Sequence, residues 1–363
     1  MKKFVLISII LTLANAHSFS CPETTDCVII KSFKAGEKTE LNIENRYGTI
    51  SIVNSPVDSV IICGTMLIDH TNPQTAEKSL SLINMEINST GNNINVKTSF
   101  DDRFFTSSFS SGRKSFNVNY IIKVPSFINL NIENSFGDVI LEDISGFVNI
   151  SLNHGNLSAG RLLRDNVKPL NSIILNHSRA KISDAGWLII ESYHSPSVEI
   201  SNCQALSVIS EFSGINIGSV NSLVFSSKSD VYTIDKVTNC VSEVWLTRVK
   251  ISEISDILRT TANISTFRID KLLNDFTEIN LIGHNSAFTF VCDGSNSFML
   301  SAKAESAVID LPEAYRGNIT RQSESPVSFK LSGLFGNDQN TKSKVNAVIS
   351  QGKLEFLTLS GKR

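Results

Sequence analysis

Proline (8) and tryptophan (2) are scarce among the 363 residues, and charge of either sign is in no excess: 33 Lys and Arg stand against 35 Asp and Glu, a formal net charge of −2. A nucleic-acid footprint needs Lys and Arg gathered on one face, and nothing in this balance suggests one. No CxxC or neighbouring His pair accompanies the six cysteines (Cys21, Cys27, Cys63, Cys203, Cys240 and Cys292), which argues against a thiolate metal site. Cys63, Cys203, Cys240 and Cys292 each sit among apolar residues or at a turn and read as small buried hydrophobes. The chain contains no P-loop, nucleophile elbow or HExxH sequence. Beyond the N-terminus no segment approaches the about 20 apolar residues of a transmembrane helix. No cofactor is expected.

What is abundant is Ser, Asn, Ile and Thr, the residues of turns and strands. The N-terminus is a sharp local signal. Lys2 and Lys3 precede the apolar run Phe4 to Leu13, and Ala14-Asn15-Ala16 is an A-x-A cleavage site. Residues 1–16 therefore read as a secretory signal peptide, which places the mature chain in the periplasm, at the outer surface or outside the cell. In that oxidising setting Cys21 and Cys27 are spaced to form a disulfide that clips the N-terminal segment. Lipidation of Cys21 calls for a Leu-like residue at position 18, where Ser18 stands.

One phrase recurs along the chain: an alternating strand, a polar corner with Gly or Ser, and a second short strand ending in Ile or Val. Leu130 to Ile140 is the first clear copy, with others at Ile150 to Leu157, Ile174 to Ile182, Ile190 to Ile200, Val208 to Ile217 and Phe225 to Ile234. Later copies centre on Val249, Ile264, Asn285 and Glu305, and corners recur roughly every 16 to 23 residues. A lone unit cannot hide its apolar side, whereas stacked units share a continuous core. The expected fold is all-β: a parallel β-helix-like solenoid with Ile132, Val139, Ile182, Ile200, Ile217 and Ile234 facing inward. Gly137, Gly155 and Gly214 are expected at corners that demand unusual backbone angles. An antiparallel sandwich is the alternative, because it too gives strands every 8 to 12 residues.

After the signal peptide, residues 17–126 form a β-rich region. It holds a further copy of the phrase at Leu41 to Ile52, a strand at Val57 to Leu67 and a short helix over Pro73 to Ile83 capped by Asn72. A hairpin turning at Gly91-Asn92-Asn93 is expected over Met85 to Thr98, then an exposed Ser- and Phe-rich loop over Asp101 to Lys114. The repeat solenoid occupies 127–311, and 312–363 holds the last rungs and a capping hairpin whose strands, Val345 to Ser350 and Lys353 to Leu359, turn at Gln351-Gly352.

Ile43-Glu44-Asn45-Arg46-Tyr47-Gly48-Thr49-Ile50-Ser51-Ile52, followed by Val57 to Ile62, resembles the opening of a bacterial putative adhesin family of no assigned function, common in Bacteroidota. It also resembles the related head-GIN auto-transporter adhesins. A second, Pro-led copy runs from Val124-Pro125 to Asn134-Ser135-Phe136-Gly137-Asp138-Val139. The resemblance covers about Leu41 to Ile309, with the aromatic-Gly pair replaced at His177-Ser178 and His194-Ser195. It implies a right-handed β-helix-like domain at the cell surface or in the periplasm, and it carries over no catalytic residue.

Three constellations invite a function. His154, His177 and His194 fall at equivalent corners, so a solenoid would stack them into a ladder that could bind a metal or serve as a polar corner without a ligand. His284 occupies a similar corner later. Phe104, Phe105 and Phe109 lie in a polar loop, where they could form a contact patch or fold back over an apolar end. The acids Asp138, Glu142 and Asp143, with Glu191, Glu199 and Glu211 along the outer face, are what a polysaccharide lyase or hydrolase would need if they converged. The reading that fits best is a non-catalytic scaffold presenting a face to a protein or glycan. A carbohydrate-active enzyme acting on extracellular polysaccharide is the alternative.

Overall fold

The computed structural model describes residues 28–358. The signal peptide over 1–16 and the pair Cys21 and Cys27 lie outside the described residues. Strands make up 67% of the structure and helices 6%. The chain divides into two compact units, Met1–Arg164 and Asp165–Arg363.

In the first unit the copy made by Glu40–Arg46 and Ile50–Asn54 lies between two later ones. Glu40–Arg46 pairs in parallel with Asn93–Phe100 on one side and Asn129–Ser135 on the other. Ile50–Asn54 does the same with Arg113–Val124 and Val139–Leu141. Antiparallel strands follow outward: Ser59–His70 pairs with both Arg113–Val124 and Ile29–Lys34, and Ile83–Thr90 forms the expected hairpin with Asn93–Phe100. The helix Pro73–Leu80 starts where the sequence places it, with the Asn72 side chain accepting from the Gln74 and Thr75 amides at 2.9 and 3.2 Å. The Ser- and Phe-rich stretch is not an open loop. It carries a 3₁₀ turn at Asp102–Phe105 and a helical turn at Ser107–Ser110.

In the second unit the strands Arg179–Tyr193, Ser197–Glu211, Gly214–Lys228, Val231–Trp245 and Arg248–Asn263 pair in parallel, each with the next. Register keeps like with like. Val198, Ile215, Tyr232, Val249, Phe267 and Phe288 form one column of successive partners, none more than 2% exposed. Alternation then sends the intervening Ser, Asn, Glu and Lys outward. The inward residues expected from sequence, Ile132, Val139, Ile182, Ile200, Ile217 and Ile234, are all buried. Parallel pairing on this scale replaces the antiparallel sandwich.

The capping hairpin is corrected. Lys344–Ser350 pairs in parallel with Glu278–His284 and with Phe298–Glu305, while Lys353–Thr358 pairs in parallel with Ala287–Cys292 and Val308–Asp310. The two strands are thus one more copy of the phrase, inserted between two earlier ones, and Gln351 takes the usual corner conformation (φ 52°). Sequence adjacency suggests a hairpin, but both faces of this copy are apolar-in and polar-out like the rest, so it is stabilised by a neighbour on each edge. Antiparallel pairing comes instead from Ser328–Phe335, which joins Phe298–Glu305 to Ile319–Ser325.

The corners are built by left-handed residues that are not glycine. Tyr47 (φ 64°), Phe136 (59°), His154 (55°), His177 (49°), His194 (51°) and Phe212 (53°) all adopt this conformation. The series continues through Ser229, Leu246, Ile264 and Asn285. The amides of these residues donate to carbonyls of the adjacent copy, as Phe136 does to Asn153 at 2.9 Å and His194 to Glu211 at 3.0 Å. The expectation for Gly137, Gly155 and Gly214 is therefore corrected, since the unusual angle belongs to a preceding residue. Gly48, Gly137 and Gly155 are needed because the chain of the next copy passes where a β-carbon would be.

Candidate functional site

The residue following each left-handed corner turns inward. In the second unit it is Ser178, Ser195, Ser213, Asp230, Thr247, Ser265 and Ser286 in succession, all buried. From Ser195 onward each side-chain oxygen accepts from the backbone amide of the equivalent residue one copy earlier, for example Thr247 N–H to Ser265 Oγ at 3.0 Å and Ser265 N–H to Ser286 Oγ at 3.1 Å. Asp230 is the one carboxylate in this column, and it accepts from the Ser213 amide (2.6 Å), Ser210 Oγ (2.7 Å), Ser227 Oγ (2.6 Å) and the Lys228 amide (3.1 Å). Four donors compensate its burial. Ser210 also meets the Tyr232 hydroxyl at 2.6 Å, and burial drives that phenol strongly upward from its ordinary pKa.

Above this network the residues that precede each corner form an outward column. Register pairs Tyr193 with Glu211, Glu211 with Lys228, Lys228 with Trp245 and Trp245 with Asn263. Lys228 Nζ sits 2.7 Å from Glu211 Oε1 and 5.6 Å from the Trp245 ring. Tyr193 donates to Glu191 at 3.1 Å, and burial together with that carboxylate raises its phenol pKa. A shallow depression of about 270 Å³ lies between Tyr193 and Trp245, with Ile209, Ser226, Glu243 and Asn263 around it. Trp245 is 44% exposed although it is the largest side chain of the column. An indole left in water beside a neutralised ion pair is suited to binding.

Glu211, Lys228 and Glu243 line the depression, and the other acids singled out from sequence are engaged one by one. Arg161 pairs with Asp143 at 2.5 Å and holds that carboxyl below its usual range. Glu142 accepts from the Asn54 amide at 2.6 Å, and Asp138 from Asn156 at 2.8 Å. Glu199 takes a bond from Ser197 at 3.1 Å. Lys271 and Arg259 reach one copy along to Glu253 (2.7 Å) and Glu278 (2.8 Å) and hold both carboxyls down. The six acids singled out from sequence are each tied to a local partner.

The histidines do occupy corners. In the second unit His177 stacks on His194 at 4.9 Å and 7°, and His194 on Phe212 at 5.1 Å and 9°. In the first unit His154 stacks on Phe136 at 5.0 Å and 9°. Parallel rings keep their nitrogen lone pairs in separate parallel planes, so the stacked pair cannot chelate one ion as it stands. Among the described residues no three His, Cys, Asp or Glu side chains gather to hold a metal. His284 is one residue short of the corner, which belongs to Asn285, and its Nδ1 meets Ser350 Oγ at 2.8 Å.

The phenylalanines divide. Phe104 is fully buried against Phe100, Phe105 and Phe116, with the Arg113 guanidinium 4.1 Å above its ring. Phe105 remains 44% exposed, and Phe109 is half-buried. Cys63 is disulfide-bonded, while Cys203, Cys240 and Cys292 are free and buried. Sequence reasoning missed the Tyr193–Trp245 column. The signal lay in the residue before each corner, but unequal copy lengths hide the alignment until the strand register is known.

Among the described residues no helix is long and apolar enough to cross a membrane. No protein-family model matches the chain, and no curated protein does. Two solved structures are similar to it at low overlap. A putative adhesin from Bacteroides fragilis is 11% identical, with 91% of this chain and 96% of that one covered and a TM-score of 0.24. A putative cell adhesion protein from Clostridium sporogenes is 8% identical, with 91% and 99% covered and a TM-score of 0.15. Overlap this low carries no argument about fold or role.

Proposed function

We propose that the chain is an exported, non-catalytic scaffold, a right-handed parallel β-solenoid of the adhesin type, which binds a glycan along its outer face between Tyr193 and Trp245. The observation that carries this reading is the exposed Trp245 at one end of a depression bounded by Tyr193 at the other. Parallel strands lie about 4.8 Å apart, so three steps of the ladder separate the two rings by about 14 Å, the length of a short oligosaccharide. Ser226, Glu243 and Asn263 supply acceptors and donors for sugar hydroxyls, and the rings supply apolar area. The Cys63 disulfide supports an oxidising compartment. Of the two acids that line the depression, Glu211 is committed to Lys228, which leaves Glu243 without a second free carboxylate to work with.

The test is a glycan array probed with the purified, disulfide-intact chain, alongside Trp245→Ala and Tyr193→Ala. The expected result is retention of a defined oligosaccharide class and at least about a tenfold loss in each variant, the effect of removing a well-packed aromatic contact. Wild-type chain that retains no glycan, or variants that bind as tightly as wild type, would sink the proposal.

A further inference from the structure

In the first unit, Arg46 carries a guanidinium with no anionic partner: no carboxylate lies within 4.0 Å of it among the described residues, although it is exposed. Its carbon lies 4.6 Å from the Tyr47 ring centroid and 5.5 Å from that of Phe136, and these two rings stack 5.2 Å apart. The guanidinium therefore rests beside both rings rather than beyond either end of the stack. Phe105 stands 6.0 Å from the guanidinium and 6.0 Å from the Tyr47 ring, and both Phe105 and Phe136 are 44% exposed. The neighbouring cations are otherwise engaged. Lys97 is bound to Glu44 at 2.6 Å, and Arg113 donates to the Phe104 carbonyl at 2.9 Å while covering that ring.

The sheet beside Arg46 is rich in hydrogen-bonding groups, and its charged groups are the Lys97–Glu44 pair, Glu133 and Glu40, which accepts from Asn131. Its register partner is Ser135, whose own partner is Asn153. Two columns away, Asn131 donates to Asn42 at 2.9 Å and Asn42 to Asn95 at 3.3 Å, a fixed row of amides. Glu133 stands in the column between as a local repulsive charge, which disfavours a densely anionic ligand and favours one with widely spaced charges.

We infer that Arg46 anchors the carboxylate of an acidic polysaccharide, a polymer of hexuronic acid. The sugar ring lies against Phe105 and the exposed edge of Phe136, whose faces are taken by Tyr47 and His154, and its hydroxyls face Ser135 and the asparagine row. An Arg fork matches a carboxylate bidentately, and the aromatic flank fixes that fork in place. The inference rests on the scaffold reading but not on the Tyr193–Trp245 depression.

The experiment titrates the disulfide-intact chain, wild type, Arg46→Ala, Arg46→Lys and Lys271→Ala, with oligogalacturonate, its methyl ester and polyglutamate. A charge-assisted bond predicts at least about a tenfold weaker oligogalacturonate affinity for Arg46→Ala, a smaller loss for Arg46→Lys and no change for Lys271→Ala, which removes an exposed cation paired with Glu253 away from both sites. Methyl esterification, which keeps the ring and removes the charge, is expected to weaken wild-type binding by a similar factor. Equal binding of the ester, equal binding by both Arg46 variants, polyglutamate binding as tightly as oligogalacturonate, or no wild-type binding at all each overturns the inference. The ester comparison on wild type stands even where a variant misfolds. A loss caused by Trp245→Ala on the glycan array, with no effect of Arg46→Ala here, would overturn this site and leave the depression standing.

Discussion

A β-carbon on Gly137 would lie 2.0 Å from the carbonyl oxygen of Gly48, one copy away in the ladder. That contact is backbone against backbone and has no flexible side chain to yield. Gly137→Ala is therefore expected to destabilise the chain by about 3 kcal/mol or more, at the upper end of overpacking costs. Gly36, with nothing within 4 Å of its built β-carbon, is the control. Gly36→Ala should shift the guanidinium midpoint little or slightly upward. Equal midpoints for the two variants would remove close approach as the reason for the corner glycines.

Asp230 interrupts a column of hydroxyls and accepts four hydrogen bonds. Asp230→Ala strands buried donors and should cost about 2–4 kcal/mol, since each unsatisfied group carries about 1–3 kcal/mol. Asp230→Ser restores the residue type found in the neighbouring copies and should cost clearly less. Chemical denaturation of the two variants checks the order, and a serine variant as unstable as the alanine variant would contradict it.

The free thiols should be silent in the folded chain. Burial pushes Cys203, Cys240 and Cys292 up to about 12. With Ellman's reagent at pH 8 the native chain should release no colour from them, and guanidinium should expose all three. The same shifts set a pH trend. A raised folded-state pKa means the folded chain holds its thiol protons more tightly, so this contribution is complete below the ordinary thiol value near 9.0 and is lost as pH rises from there toward 12. Replacing all three with alanine should flatten the fall in melting temperature above pH 9. An unchanged slope would mean other groups drive it.

Phe104 and Phe105 are adjacent but should behave differently. Phe104→Ala empties a fully buried site and should cost about 3–5 kcal/mol. Phe105→Ala, at a half-exposed ring, should cost much less and so remain usable in binding assays. Thermal melts of the pair decide this.

The exposed pair Lys228–Glu211 should contribute at most about 1 kcal/mol to stability. Glu211→Gln should therefore melt close to wild type. A large drop would mean the pair holds the fold, and its position beside Trp245 would then say little about binding.

Alternation alone determined which residues point inward: Ile132, Val139, Ile182, Ile200, Ile217 and Ile234 needed only the two-residue period of a strand to be recognised. Local chemistry likewise sufficed for the Asn72 cap and for the turn at Gly91-Asn92. Tertiary structure decided what depends on distant pairing. Lys344–Ser350 became an inserted strand because two apolar edges separated in sequence were available to it. The left-handed angle fell on Phe136 rather than Gly137 because the neighbouring copy leaves no room for a β-carbon at the second position. Register likewise brought Tyr193, Glu211, Lys228 and Trp245 into one column and set Arg46 beside the Tyr47–Phe136 stack. Side-chain periodicity is a property of the chain, whereas register is a property of which strands meet, and only the folded molecule supplies that.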